Sequence, residues 1–412
     1  MIVNKKWAMA GMGMALISAS LSLAAGPAPR HAVRLPRGQT ITLWVWQANP
    51  IYGEVAKLAQ QWAKAHGDTV KIVNQSSNAN GFQFYATAAR TGKGPDVVFG
   101  IPHDNLGTFA EEGLVAPMPK ADFKPALYIK PIDAALRIKG TIYSLPDYAQ
   151  TTALYYNTKM IKTPPKTWAQ FTQDANKYGF MYSQHNLYYN YAFIGGMGGF
   201  VFKTRNGIEN PNVIGLNNRG AVRGFTLMRE LDSKYHWMNP STDYAVATAK
   251  FVAGKIGMTI DGPWEIPALK TAKLPFSVAP MPLLPNGRHM TPFLGVITSF
   301  VNSRSPNKAA DFSLAQALGT PKAQLAYFKL SQQIPAQTSV AKSPLVQKNA
   351  VFKAFATELK YSVPMPNIPQ MQTVWTAMSV IADIINGKVS PAVGANDFVK
   401  DIKQGIKVLN AG

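Results

Sequence analysis

The sequence predicts an α/β protein of two lobes, each built on a mostly parallel sheet flanked by helices. From residue 39 onward, short β-branched runs alternate with amphipathic helices, which is typical of βαβ units. At 412 residues the chain is too long for one ordinary core. Two long β-segments, near residues 150 and 295, each join parts of different composition. A chain that crosses between two lobes more than once has this pattern, and the cleft between such lobes is where a ligand would bind.

The first part of the chain carries the alternating pattern. We predict, in order, a strand at TITLWVW, a helix at EVAKLAQQWAKAHG that ends at Gly67, a strand at TVKIVN, a helix at GFQFYATAARTGKG and a buried strand at PDVVFG. The segment TIYSLPDYAQTTALYYN (141–157) then predicts two strands interrupted at Pro146, because proline removes a backbone donor.

The middle of the chain is rich in helices up to about residue 290, and TPFLGVITSFVN (291–302) predicts another strand. After it, SPNKAADFSLAQAL predicts a helix with Ser305 as N-cap and Pro306 in its first turn. LYYNYAFIGGMGGFVF (187–202) is too short and too rich in glycine to span a membrane, so it predicts a buried helix.

The uncharged segment MPNIPQMQTVW (365–375) predicts a stiff extended loop. Its two prolines fix their own φ angles and restrict the residues before them. Apolar residues then recur at helical spacing as far as Gly387, which places Trp375 near the first turns of a helix. From this pattern alone, Trp375 is either a core residue or a side chain presented to a ligand.

The chain is strongly basic, with 42 Lys and Arg against 21 Asp and Glu and a formal net charge of +21. The positive charge is spread along the sequence, and Lys5-Lys6 is the one adjacent pair, which argues against a nucleic-acid-binding arm. We interpret the shortage of carboxylates as an adaptation to an acidic compartment. Carboxylates that are paired in a folded protein lose their stabilising contribution as pH falls, so a protein in an acidic compartment benefits from having few of them.

The N-terminus predicts a secretory signal peptide over residues 1–24. The positive segment MIVNKKW precedes the apolar run AMAGMGMALISASLSLAA, and small residues supply a cleavage site. An uncleaved anchor helix is the alternative. Residues 25–38, rich in proline and basic residues, predict a flexible lead-in. The chain has no cysteine, so it has neither a disulfide nor a lipid-modified cysteine, and we expect a soluble protein in the periplasm.

Enzyme signatures are missing. TGKGPD (91–96) lacks the spacing of a phosphate-binding loop, no H-E-x-x-H or G-x-S-x-G occurs, and the six histidines form no metal pattern. Ser305 and Ser339 each begin an S-x-x-K match, but in the wrong order for serine acyl transfer. Asp104 and Asp147 are the one carboxylate pair that we could nominate for a glycosidase. We therefore predict no catalytic residue, no metal and no cofactor.

Aromatic residues next to polar groups at turns are the positive signal. Trp264 follows a Gly-Pro turn in IDGPWEI, and Tyr188 opens a helix behind SQHN. Trp44 and Trp46 end the first strand, where we expect them on opposite faces, one in the core and one at a rim. Aromatic faces paired with amides and carboxylates suit sugars, whose faces are apolar and whose edges carry hydroxyls.

Four segments resemble the periplasmic maltose/maltodextrin-binding proteins, which deliver sugars to ATP-driven importers: MPNIPQMQTVW, TDYAVATAKFVAGKIGMTIDGPWEI, KGPDVVFGIPHDNLGTFAEEGL and PPKTWAQF. The similarity runs from about residue 40 to 405. It implies the two-lobed periplasmic-binding-protein fold (type 2), with a ligand cleft at a hinge of three crossings. The implied N-terminal lobe comprises residues 39–149 and 296–346, and the implied C-terminal lobe comprises residues 150–295 and 347–412.

The resemblance also implies a sugar site. Tyr188, Trp264 and Trp375 match the stacking aromatics of the family, Asp104 matches an aspartate that bonds sugar hydroxyls, and Met365 matches a residue near the sugar. At several positions where the family has a charged residue, this sequence has a neutral one. These positions are Asn105, Gln150, Asn186 and the pair Ala48-Asn49. Amides keep hydrogen bonding without depending on pH. The ligand-binding residues that we predict are Trp375, Trp264, Tyr188, Asp104, Asn105, Gln150, Asn186, Met365, Trp46 and Asn49.

We therefore predict a monomeric binding protein for maltose or maltodextrin-type α-glucosides that docks transiently on the permease of an ABC importer and binds no nucleic acid. Another oligosaccharide, a disaccharide such as trehalose, or a polyol is the alternative within binding proteins. A secreted carbohydrate-active enzyme is the alternative from another class. A third alternative is that the protein presents bound sugar to a chemosensor. Transport and sensing would both use the closed, sugar-bound form of the protein.

Overall fold

The computed structural model describes residues 38–78, 81–205 and 207–411. The predicted signal peptide and nearly all of the predicted lead-in lie outside the described residues. Within this part of the chain, no helix combines the length and the apolar character needed to cross a membrane.

The strands form two main sheets and two short hairpins. In chain order they are β1 (Thr40–Val45), β2 (Thr69–Asn74), β3 (Val97–Pro102), β4 (Arg137–Ile138), β5 (Thr141–Ile142), β6 (Ser144–Gln150), β7 (Ala153–Asn157), β8 (Phe200–Arg205), β9 (Ile208–Gly215), β10 (Met258–Asp261), β11 (Phe276–Ala279), β12 (Phe293–Val301), β13 (Ile334–Pro335) and β14 (Val363–Pro364). The larger sheet has the order β2-β1-β3-β12-β6-β13, with β14 beside β12. The smaller sheet has the order β10-β7-β11, and β4-β5 and β8-β9 are the hairpins.

The prediction of mostly parallel sheets is wrong. In the larger sheet β1 is parallel to β2 and β3, but β12 is antiparallel to both β3 and β6. The smaller sheet is antiparallel on both sides of β7. Strand β6 leads the chain out of the larger sheet and β12 leads it back in, so β12 has to run in the opposite direction. The βαβ pattern therefore held for β1 to β3 and failed where the chain changes sheet.

The helices cover the sheets. They are α1 (Ile51–His66), α2 (Gly81–Arg90), α3 (Leu106–Glu111), α4 (Lys130–Ala135), α5 (Trp168–Tyr178), α6 (Leu187–Gly196), α7 (Arg219–Ser233), α8 (Tyr244–Val252), α9 (Ile266–Thr271), α10 (Lys308–Leu318), α11 (Pro321–Ser331), α12 (Thr338–Ala341), α13 (Pro344–Gln347), α14 (Ala350–Glu358), α15 (Met371–Ala377), α16 (Val380–Ile385) and α17 (Pro391–Ala411).

Local signals placed several helices correctly. Helix α1 buries one face against the sheet and ends at Gly67, whose φ of +72° is easy only for glycine. Helix α6 is buried along nearly its whole length, as predicted for a segment that does not span a membrane. Trp375 lies in the short helix α15, directly after the proline-rich loop.

Two local predictions are wrong. Pro146 does not interrupt the strand but lies inside β6, opposite Thr298, where the pairing with β12 shifts register. Proline is tolerated at such an irregularity because no regular ladder bond is required of it. Ser305 does not cap a helix, because α10 begins only after Asn307. The Ser305 hydroxyl donates instead to the buried carboxylate of Asp311.

The chain passes from the larger to the smaller sheet through Thr151 and Thr152, between β6 and β7. The Thr151 hydroxyl donates to the carbonyl of Phe293 at 2.9 Å, and Phe293 at the start of β12 also pairs with Val363 of β14. The segments at Thr151, Phe293 and Val363 thus lie side by side at this point. The lobe boundaries at residues 149/150, 295/296 and 346/347 stay predictions.

Candidate functional site

A cavity of about 400 Å³ opens beside Gln150, at the end of β6. Its wall combines residues from the ends of β1, β3 and β6 with residues from β12 and from the turn after β10. The lining residues are Trp46, Gln47, Asn78, Gly81, Phe82, Gly100, Ile101, Pro102, Asn105, Gln150, Trp264 and Ile297. Four of the predicted site residues, Trp46, Asn105, Gln150 and Trp264, are therefore in the wall.

Asp104 lies in the single 3-10 turn that follows β3 and is only 4 % exposed. The indole N–H of Trp375 donates to its Oδ2 atom at 2.9 Å, and the Asn105 amide donates to its Oδ1 atom at 3.3 Å. Burial raises the pKa of Asp104 to about 6, although the hydrogen bond from Trp375 works in the opposite direction. Two residues that are 271 positions apart in the sequence are thus joined directly at the site.

The proline-rich loop that precedes Trp375 is anchored on several sides. The Met365 amide donates to the carbonyl of Leu294 at 3.1 Å, and the Asn367 side chain accepts from the Gly107 amide at 3.0 Å. A Cβ atom on Gly107 would lie 2.8 Å from the Asn367 carbonyl oxygen, so the loop packs directly on this glycine. These contacts hold the start of α15, and with it Trp375, in one place.

His103 is a supporting residue that the sequence reasoning missed. Its Nδ1 atom accepts from the Val296 amide at 3.1 Å, so Nε2 carries the proton and donates to the Met365 carbonyl at 3.1 Å. Burial lowers the pKa of this imidazole to about 4, which keeps it neutral. The histidine in the FGIPHD segment, directly before Asp104, was the available signal. It ties β12 to the loop that carries Met365.

Aromatic rings form a chain beside Asp104. The centroids of Tyr188 and Trp264 are 6.0 Å apart, those of Tyr188 and Phe293 are 6.2 Å apart, and those of Phe293 and Trp375 are 6.1 Å apart. Tyr188, Trp264 and Trp375 are each partly buried, so each ring keeps some exposed surface. Phe293 is fully buried and links them, a role that the sequence did not indicate.

Gly295 connects these rings to the cavity wall. A Cβ atom built on Gly295 would lie 3.4 Å from Met365 Cε, 3.5 Å from the Tyr188 hydroxyl and 3.8 Å from the Gln150 carbonyl. Because Gln150 lines the cavity, Tyr188 and Met365 lie just behind its wall. Met365 itself is buried.

Trp46 presents its indole at the cavity, but the expectation of opposite faces for Trp44 and Trp46 is wrong. Residues two apart in a strand share a face, and the two rings meet edge to face with centroids 5.7 Å apart. The Trp46 Nε1 atom is buried and has no hydrogen-bond partner among the described residues. A Cβ atom on Gly81 would lie 2.2 Å from this nitrogen, so α2 can approach Trp46 only with glycine at that position.

The amide residues differ in how the structure uses them. Gln150 donates to the Gln333 side chain at 3.0 Å at the cavity wall. Asn186 caps α6 by accepting from the Tyr188 amide at 2.9 Å, and Asn49 accepts from the Gly53 amide at 3.2 Å. Neither Asn49 nor Asn186 lines the cavity. Asn186 contacts the predicted site residue Tyr188 through the backbone amide of that tyrosine, whereas Asn49 bonds within its own helix turn.

Comparison with known proteins decides the family. The sequence profile of the bacterial extracellular solute-binding proteins matches residues 57–354. The chain belongs to this family. A maltodextrin-binding protein of Bacillus subtilis is 30 % identical to this solute-binding protein over 422 residues, which cover 96 % of this chain and 97 % of the relative. A galactooligosaccharide-binding protein of the same organism is 29 % identical over 413 residues, covering 97 % of each chain.

Solved structures agree with the family. The maltose-maltodextrin binding protein of the thermoacidophilic bacterium Alicyclobacillus acidocaldarius is 59 % identical to this solute-binding protein, with a TM-score of 0.87. The match covers 89 % of this chain and all of that chain. These neighbours confirm the prediction of a two-lobed α/β periplasmic-binding fold. The described residues contain no group of three or more metal-ligating side chains that could hold a metal ion.

Proposed function

We propose that this solute-binding protein captures maltose or maltodextrin-type α-glucosides between its two lobes and delivers them to an ABC importer. The observation that carries the proposal is the chain of aromatic rings from Trp264 through Tyr188 to Trp375, which ends on the Asp104 carboxyl group. Aromatic faces stack on the apolar faces of glucosyl rings, while a carboxylate and amides bond the hydroxyls. The names of the Alicyclobacillus and Bacillus maltodextrin relatives support the same ligand class.

In this proposal a sugar hydroxyl takes the place of the Trp375 indole N–H as a partner of Asp104. Trp264 and Trp375 then stack on the sugar, and Asn105 and Gln150 bond its hydroxyls from the cavity wall. Trp46, which lines the same cavity, offers a further aromatic surface. The closed arrangement is favoured because it alone lets both lobes contact the sugar. Asn186 acts through the helix that carries Tyr188, and Asn49 rests on the family resemblance alone.

A different oligosaccharide is the second candidate, and the galactooligosaccharide-binding relative of B. subtilis is the observation that favours it. Galactosyl and glucosyl units offer the same kinds of apolar face and hydroxyl edge, so the row of aromatic rings does not by itself distinguish the two kinds of sugar. We propose no catalytic role, since the matched family and relatives are solute-binding proteins.

We also propose that the protein is secreted through a cleaved signal peptide and works as a soluble monomer in an acidic compartment outside the cytoplasmic membrane. The basic composition supports the acidic setting, and so does the source of the Alicyclobacillus neighbour. A sequence without cysteine lacks the thiol to which a lipid anchor would be attached.

Calorimetry tests the ligand class. We expect one-to-one binding heat from maltose or maltotriose at pH 4 and at pH 7, and unchanged sugar when the sample is recovered and chromatographed. Trehalose and a galactooligosaccharide serve as the comparison ligands. If no α-glucoside gives binding heat and the galactooligosaccharide does, the second candidate replaces the first. Shortened sugar in the recovered sample would contradict the absence of catalysis.

A further inference from the structure

Two buried carboxyl groups lie close to the proposed Trp264 platform. Asp261 is the last residue of β10, and Glu265 ends the 3-10 turn that carries Trp264. Both side chains are buried, and the proposed sugar contacts do not involve either of them. We refer to Asp261 and Glu265 as the acid pair.

Asp261 holds the backbone on which Trp264 lies. Its Oδ1 atom accepts from the Gly262 amide at 2.8 Å, and the Tyr155 hydroxyl donates to the Gly262 carbonyl at 2.6 Å. A Cβ atom on Gly262 would lie 2.1 Å from the Trp264 ring, so the indole rests directly on this glycine. The position of the Trp264 ring therefore depends on how Gly262 is held.

Two tyrosines join the acid pair to the same ring. The Tyr189 hydroxyl donates to Asp261 at 3.4 Å, and the Tyr189 ring meets Trp264 edge to face with centroids 6.3 Å apart. The Tyr244 hydroxyl donates to Glu265 Oε2 at 2.9 Å. Glu265 Oε1 is buried and has no hydrogen-bond partner among the described residues.

Within the described part of the chain, neither Asp261 nor Glu265 takes part in a salt bridge, because every salt bridge there is formed by a different carboxylate. The acid pair therefore has no cation that balances its charge. The titratable groups that face it are Tyr155 from β7, Tyr188 and Tyr189 from α6 and Tyr244 from α8, with Asp104 beyond Tyr188. Burial raises the pKa of Asp261 well above its usual range, and the neighbouring Glu265 raises it further. Two adjacent buried carboxyl groups without a cation cannot both ionise cheaply.

We propose that Asp261 and Glu265 are positioning residues that hold Trp264 as a sugar platform only while the pair retains a proton. A proton on either group removes their repulsion and leaves Asp261 Oδ1 on the Gly262 amide. Ionisation of both groups places two like charges in a poorly solvated site, and the turn from Gly262 to Glu265 relaxes to separate them. The pair would thus make sugar affinity highest in acid. This inference rests on the proposed sugar-binding function.

The test compares the wild-type protein with the double variant Asp261→Asn/Glu265→Gln. Both replacements keep an acceptor oxygen and cannot ionise, so the variant copies the uncharged pair, with both carboxyl groups protonated, at every pH. We measure the Kd for maltotriose from pH 4 to 10. Wild type and variant are expected to bind equally at pH 4, while at the alkaline end the wild type binds at least about tenfold more weakly than the variant. Titration of Asp104 affects both proteins and cancels in the ratio of their Kd values.

A ratio of Kd values that stays constant over this pH range would overturn the inference, because a purely structural role predicts no pH-dependent difference. The single variant Asp401→Asn, at an exposed position of α17, is the matched control and should follow the wild type throughout. If the double variant does not fold, Glu265→Gln alone serves. It leaves only one ionisable group in the pair, so at the alkaline end it should also bind maltotriose more tightly than the wild type. Absence of sugar binding by the wild type at every pH would instead refute the proposed function.

Discussion

Replacing Trp375 by alanine is expected to weaken maltotriose binding by at least about tenfold, or about 1.4 kcal/mol. The indole would provide a stacking face, and its N–H already lies 2.9 Å from the Asp104 carboxyl oxygen. Because the ring keeps some exposed surface and the loop before α15 is held by the backbone contact of Met365 and the side chain of Asn367, the melting temperature should change only slightly. Calorimetry and thermal unfolding of the same sample measure both effects.

Trp375→Phe separates the ring from its N–H and should retain most of the affinity. Trp168→Ala is the matched control, because Trp168 is also partly buried and also donates its N–H to a side chain, the Tyr235 hydroxyl at 3.3 Å. Trp168 packs against Phe171, Tyr235 and Trp237, away from Asp104 and the aromatic rings of the proposed site, so its loss should leave sugar affinity unchanged. If Trp375→Ala instead greatly lowers the melting temperature and leaves the sugar affinity unchanged, Trp375 is a core residue and not part of the sugar site.

The free energy of unfolding is expected to increase as pH falls from 8 to 4. Burial raises the pKa of Asp104 to about 6, of Asp311 to about 7 and of Glu358 to about 8. A carboxyl group whose folded pKa is raised binds its proton more tightly in the folded state. Its stabilising contribution is complete below the unfolded pKa near 4 and is lost as pH rises to the folded pKa. Denaturant titrations at pH 4, 6 and 8 would measure this trend.

Glu358→Gln isolates one of these groups. Glu358 is 1 % exposed and accepts from the Met281 amide at 2.8 Å, a bond that glutamine can keep. The variant should match the wild type at pH 4 and be more stable at pH 8, by up to several kcal/mol. Glu111→Gln, at an exposed position at the end of α3, should change nothing at either pH. Greater stability of the wild type at pH 8 than at pH 4, together with no gain from Glu358→Gln, would contradict the predicted pH dependence.

Short-range signals in the sequence placed many elements correctly. A glycine after an amphipathic run located the end of α1, and two prolines located the loop before Trp375. The direction of β12 and the antiparallel smaller sheet could not be predicted in this way. They follow from where the chain re-enters a sheet, which depends on contacts distant in sequence.

The candidate site shows the same division. The resemblance to maltodextrin-binding proteins brought Tyr188, Trp264, Trp375 and Asp104 together, and the structure places them in one neighbourhood. It did not indicate His103 or Phe293, because each joins segments that are far apart in the sequence. Nor could it indicate that Asn186 would be used as a helix cap, since the same amide can bond a ligand or a backbone N–H.

A crystal structure of the protein grown with maltotriose tests the sugar-binding proposal most directly. We predict glucosyl rings stacked on Trp264 and Trp375, with a sugar hydroxyl bonded to Asp104 in place of the Trp375 indole N–H. Sugar bound away from these three residues, or a cleft in which Trp375 keeps its bond to Asp104 and no sugar is present at saturating concentration, would contradict it.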